Sequence, residues 1–244
     1  MKQQRSEIWS AVIWIVVYVV GASIADNMSA ELRVQKAVTF PFLLLLSLIA
    51  LFLMRKNRRS SEYYGLCRPA QPARRFLFYL PLALLASCNL WHGVKMNMPA
   101  GETLLYIGSM LCVGFLEELI FRGFLFRAMQ KDSLKWAVVV SSVTFGIGHI
   151  VNLFNGSGAE LISNLCQVFS AVAFGFMFVI LFLRCGSLWP CILCHGVLNS
   201  LSAFANENAF TPALEIAHSA ILSAIAIAYT LYLLKAIPAE SKTE

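Results

Sequence analysis

Apolar residues run in long unbroken stretches along this chain, not in alternation. The stretches fall at about 8–25, 38–54, 76–92, 103–126, 135–151, 161–183, 187–205 and 212–235. Each approaches the roughly 20 residues that a helix needs to cross a bilayer. Alternating barrel strands would be neither so continuous nor so apolar. The pattern predicts an all-α, polytopic integral membrane protein of about eight transmembrane helices, folded as a single membrane domain over 1–244. The first run follows a short charged stretch, Met1 to Glu7, and shows no small-residue cleavage site. A retained helix is therefore expected in place of a signal peptide.

Composition agrees with this reading. Of 244 residues, 59% are hydrophobic and 13% charged, and the mean hydropathy is +0.71. The net charge of +6 could suggest nucleic acid, but the basic residues stand at the ends of the apolar runs, and no nucleic-acid partner is expected. Lys2 and Arg5 precede the first run, and the island Arg55-Lys56-Asn57-Arg58-Arg59 follows the second. Arg68, Arg74 and Arg75 precede the third; Arg127, Lys131 and Lys135 separate the fourth and fifth. Arg184 lies between the sixth and seventh, and Lys235 ends the eighth. With eight spans these all fall on one side, whereas the opposite loops carry Asp26, Glu31, Glu102, Glu160 and Glu207. The positive-inside rule then puts both termini in the cytoplasm, with 55–75 a cytoplasmic connector. Pro238 to Glu244 reads as a frayed tail. The seven scattered cysteines, odd in number and set among apolar residues, read as packing residues and not as a disulfide framework.

A charge in mid-bilayer costs roughly 2.5–3.5 kcal/mol on insertion scales, so ionisable residues within the runs point to function. They are Glu117, Glu118, Arg122, His149 and His195, with Glu215 and His218 nearer a run's end. Counted from the charged end at about 1.5 Å per residue, Glu117 lies roughly 13 Å deep, His149 20 Å, His195 12 Å and Asn199 18 Å. Groups on three helices could therefore share one intramembrane cavity. Glu118 and Arg122 are four apart and can pair on one face. Glu117 is turned about 100° away, which leaves it the carboxylate free to act as a general base. His195 and Asn199 share a face, as do Phe145 and His149. Glu215 and His218, three apart, are expected to satisfy each other.

These residues resemble the CPBP family of intramembrane glutamic endopeptidases, which includes the type II CAAX prenyl endopeptidases (Rce1-like) and the Abi proteins linked to bacteriocin immunity. The Glu-Glu-x-x-x-Arg motif is matched by Glu117, Glu118 and Arg122, Phe-x-x-x-His by Phe145 and His149, and His-x-x-x-Asn by His195 and Asn199. The signature core is about 103–205. The resemblance implies a hydrolase in which Glu117, helped by His149, activates water in a cavity open to the cytoplasm. His195 and Asn199 would donate to the oxyanion, with Glu118, Arg122 and Phe145 in support. It implies no cofactor and no metal. The partners are membrane lipid and a peptide or lipidated-peptide substrate, such as a CAAX protein or a bacteriocin precursor, in a prokaryotic cell membrane.

Three alternatives stand beside it. A zinc metalloprotease could use the same Glu and His residues, although no pair of His shares a helix. Cys191-Ile-Leu-Cys194-His195 has the spacing of a c-type haem attachment. An Abi-type scaffold or immunity protein would keep the motifs without turnover.

Overall fold

In a membrane every backbone polar group must be satisfied within the chain, and helices do this locally. The computed structural model describes residues 2–56, 61–154, 160–206, 209 and 211–237, and among these there is helix but no strand. The protein is an all-α membrane protein. Eight helices follow one another: α1 Lys2–Glu31, α2 Thr39–Lys56, α3 Leu80–Ala86, α4 Ala100–Met129, α5 Leu134–Gly148, α6 Leu161–Cys185, α7 Trp189–Leu201 and α8 Pro212–Ala236. Local chemistry sets several ends. The Ser133 and Thr211 side chains accept from Trp136 N and Leu214 N as N-caps. Gly186, at φ +71°, closes α6 in the left-handed region that glycine adopts without strain.

Six of the eight are long and apolar enough to cross a membrane. The expected third and seventh spans are shorter than their apolar runs. Around α3 the chain is broken by a 3-10 stretch, Ala73–Tyr79, in which Leu77, Phe78 and Tyr79 all have positive φ. The 13 residues of α7 reach only about 20 Å, against a hydrocarbon core of about 30 Å.

Hydrogen bonds sort the connections into two ends. At the first, Gln4 Nε2 donates to Ala128 O at 3.4 Å and Glu7 pairs with Lys131. There too Ala70 N meets Cys185 O at 2.8 Å, and Tyr232 Oη meets Arg75 O at 3.0 Å. At the second, Gln35 N donates to Glu102 at 2.8 Å, Lys95 N to Phe204 O at 3.0 Å and Asn164 Nδ2 to His149 O at 2.9 Å. The chain thus passes between the ends eight times, six times by a full-length helix and twice by a short one. Arg55, Arg74, Arg127 and Arg184 stand at the first end, as the charge pattern requires. The second end is less purely acidic than expected, because it also holds Arg33, Lys36 and Lys95. Asn57, Arg58, Arg59, Glu207 and the segment 238–244 lie outside the described residues.

The centre is built by close helix contacts. α4 packs on α7, and α6 packs on both α5 and α8. Without a hydrophobic drive between helices in lipid, small residues that let backbones approach take over. Gly114 of α4 faces Gly196 of α7 so closely that a Cβ there would lie 2.5 Å from the Gly196 nitrogen. A Cβ on Gly175 of α6 would lie 2.7 Å from Ser142 O on α5.

Candidate active site

The site grows from the middle of α4. Glu117 and Glu118 end its regular stretch, and Leu119–Phe126 continue as a π turn, a rare geometry that recurs at functional sites. Ser141 of α5 donates to Phe121 O at 2.8 Å, satisfying a carbonyl within the irregular turn.

Glu118 and Arg122 are both fully buried, and Arg122 Nη1 donates to Glu118 Oε1 at 3.2 Å. The second terminal nitrogen of Arg122 reaches Gly175 O at 3.3 Å, which the close α5–α6 approach brings within range. The guanidinium also lies 4.2 Å from the Phe145 ring centroid and 5.6 Å from that of Phe178. Arg122 therefore ties α4 to α5 and α6 by charge, hydrogen bond and cation–π contact.

His195 Nδ1 stands 2.9 Å from Glu118 Oε1, and its Nε2 stands 3.6 Å from Glu117 Oε2. Where the Glu118 carboxylate accepts from the neutral ring, the proton sits on Nδ1 and the Nε2 lone pair faces Glu117. Phe178 stacks on the ring at 5.9 Å and Phe145 meets it edge-on at 5.6 Å. His149 follows the end of α5 on a 3-10 turn. Its Nδ1 lies 3.1 Å from Phe145 O, which fixes the same tautomer, and its ring packs edge-on against Phe145.

Two cavities flank these groups. The larger, about 510 Å³, is a cleft along one face of α1 (Tyr18, Val19, Ala22, Asp26) and one face of α4 (Tyr106, Met110, Val113, Glu117). The second, about 380 Å³, lies between α5, α6, α7 and α8 and is lined by Phe174, Phe178, His195 and Ser219 among others. Asn89, Phe145, His149, Leu198 and Asn199 border both. A third hollow, about 340 Å³, opens at the first end around Ser10, Trp14 and Phe124. It shares no lining residue with the cleft. Phe121, on the cleft, packs edge-on against Phe145 at 5.4 Å, and Trp14 and Phe124, on the hollow, lie 5.8 Å apart. The cleft reaches Asp26 and Lys36 at the second end.

All seven motif residues come to one neighbourhood. Glu117, His149 and Asn199 line the cleft, His195 lines the second cavity, and Glu118, Arg122 and Phe145 brace them. Among the described residues no hydrogen bond or ion pair joins Glu117 to His149; the histidine beside Glu117 is His195. Sequence reasoning missed Tyr18 of α1, whose hydroxyl donates to Glu117 Oε1 at 2.6 Å. A tyrosine in mid-span, whose hydroxyl must find a partner, was the available signal. Glu215 and His218 find partners on other elements. Ser163 Oγ donates to Glu215 at 2.7 Å, and His218 Nδ1 lies 3.1 Å from His92 Nε2. Among the described residues no three His, Cys, Asp or Glu side chains are grouped to hold a metal ion. Cys191 and Cys194 are buried, with their sulfurs 3.5 Å from Phe178 O and Leu82 O.

Comparison with known proteins bears on the same segment. Residues 99–201 match the family described as "Type II CAAX prenyl endopeptidase Rce1-like". All three motifs fall inside that stretch, so the resemblance they carry is shown there. A 98-residue stretch, 40% of this chain, is 32% identical to a protein of Bacillus subtilis (strain 168) described as "Putative membrane peptidase YdiL". The match takes in 35% of that relative's length. No solved structure matches the chain.

Proposed function

We propose that this chain, Rce1-like over residues 99–201, is an intramembrane endopeptidase that hydrolyses a peptide bond with water activated by Glu117. The observation that carries the reading is the division of labour between adjacent carboxylates. Glu118 is paired with Arg122 and fully buried, while Glu117 lines the cleft, accepts from Tyr18 and lies 3.6 Å from His195 Nε2.

Glu117 takes a proton from a water in the cleft as the water oxygen bonds to the substrate carbonyl carbon. The His149 Nε2, left without a proton by the Phe145 contact, accepts the other water hydrogen and orients the nucleophile. Charge develops on the carbonyl oxygen, where the Asn199 amide donates, joined by His195 when its Nε2 is protonated. Donors fixed in a low-dielectric site need no reorganisation as the charge forms. Collapse breaks the C–N bond, and Glu117 returns its proton to the leaving amine. No covalent intermediate forms.

The test is cleavage of a mixed prenylated and unprenylated peptide library by the purified protein, with and without chelator. Cleavage that survives chelator and disappears in Glu117→Gln and His149→Ala supports the mechanism. Full activity in Glu117→Gln would sink it. Cleavage by no preparation would favour the scaffold reading.

A further inference from the structure

Toward the second end α1 and α2 meet closely. Ser29 and Thr39 hydrogen-bond at 3.1 Å, and a Cβ on Gly21 would run into the Phe42 ring. Toward the first end lies the hollow of about 340 Å³, walled by α1, α2, α4 and the 3-10 turn Ser61–Tyr64. Its lining is graded. Gln3, Ser6 and Ser10 of α1 and Arg127 of α4 stand near the helix ends. About one turn deeper, the lining becomes Trp14, Ala50 and Phe124. A polar rim above an apolar interior is the profile of an amphiphile.

Charge narrows the ligand further. Glu7, on the rim, is taken by Lys131, whose ammonium also lies 5.8 Å from the Tyr63 ring centroid. Arg127 lies 4.6 Å from the Phe182 ring centroid. Among the described residues no carboxylate pairs with it, and its Nε is buried without an acceptor. That leaves its terminal nitrogens to meet a counter-ion. A guanidinium fork matches the oxygens of a phosphate, and basic pockets between spanning helices hold anionic headgroups. Leu53 lines the hollow and is still 47% exposed, so the inner wall is continuous with the lipid-facing surface of α2. A free phosphate ester would use the rim and leave that wall uncovered.

We infer that the hollow binds one anionic phospholipid, with its phosphodiester on Arg127 and an acyl chain against Trp14, Ala50 and Phe124. The lipid joins α1, α2 and α4 at the end where α1 and α2 lack the close contacts of the second. The site needs no catalytic step and stands or falls apart from peptide cleavage.

Lipid retention is the test. The full chain, stripped of lipid in an uncharged detergent, is titrated with phosphatidylglycerol or with phosphatidylcholine of the same chains, and bound lipid is counted by native mass spectrometry. One phosphatidylglycerol held in preference to phosphatidylcholine is the expected result. Arg127→Gln should weaken its binding by about tenfold or more, the worth of a hydrogen bond to a charged group. Ser10→Phe, which fills the hollow and alters no charge, should also weaken it. Lys56→Gln removes a charge at the same end but outside the lining and should change nothing. If Arg127→Gln fails to accumulate, the contrast between Ser10→Phe and Lys56→Gln decides. Equal retention of the two lipids, or unchanged binding in Arg127→Gln and Ser10→Phe, overturns the inference. Inorganic phosphate and glycerol 3-phosphate should not displace the lipid at matched concentration. Displacement by either would assign the rim to a free phosphate ester and overturn the lipid assignment.

Discussion

Replacing Gly114 by alanine should loosen the site without touching any group that does chemistry. The added Cβ would lie 2.5 Å from Gly196 N and 2.6 Å from Gly196 Cα, where ordinary carbon contacts need about 3.5–4.0 Å. Both colliding atoms are backbone, so no side chain can swing aside, and α4 and α7 must part by about 1 Å. Overpacking of this kind costs about 1–3 kcal/mol. The same shift would stretch the 2.9 Å Glu118–His195 bond past hydrogen-bonding range and widen the 3.6 Å gap between His195 and Glu117. A misplacement of about 1 Å can cost on the order of 100-fold in rate. Gly101→Ala, on the same helix with nothing within 4 Å of the added carbon, is the control. Unfolding midpoints in detergent and peptide cleavage rates would be measured for both. Wild-type stability and rate in Gly114→Ala, or equal damage in Gly101→Ala, would refute the argument.

Other perturbations should separate by mechanism. Glu118→Gln leaves Arg122 as a buried charge without its counter-ion and should cost about 3–5 kcal/mol of stability. Glu117→Gln should leave stability within about 1 kcal/mol and abolish cleavage, and equal unfolding midpoints for the two would contradict the division of labour. Tyr18→Phe removes a hydrogen bond to a charged group worth about 1.5–3 kcal/mol. The expected loss in kcat is about 10- to 150-fold with KM kept, and a rise in KM alone would make Tyr18 a packing residue. Glu7→Gln, which breaks the Lys131 pair at the partly exposed first end, should cost less than about 1 kcal/mol in an unfolding titration, with the difference fading in high salt.

The membrane architecture was legible because apolar continuity is a direct consequence of the solvent. The motif residues were legible because charge inside a span is expensive and therefore conspicuous. Tyr18 was not, since its hydroxyl adds almost nothing to a hydropathy pattern and its partner lies 99 positions away. The short α3 was hidden for a similar reason: 76–92 is largely apolar, while positive φ at Leu77, Phe78 and Tyr79 breaks the run at one end and a 3-10 turn at Cys88–Leu90 follows at the other. The pairing of Glu117 with His195 instead of His149 depends on the α4–α7 glycine contact, which single-helix spacing does not encode.

The separation of the two hollows has a consequence for the membrane itself. Hydrolysis through Glu117, as proposed, requires water beside it, and carboxylates and imidazoles along a wet path are the parts from which proton wires are made. A cleft that ran through to the other face would dissipate the transmembrane potential. The cleft beside Glu117 and the hollow at the first end share no lining residue, so a wire joining them would first have to part the side chains between them.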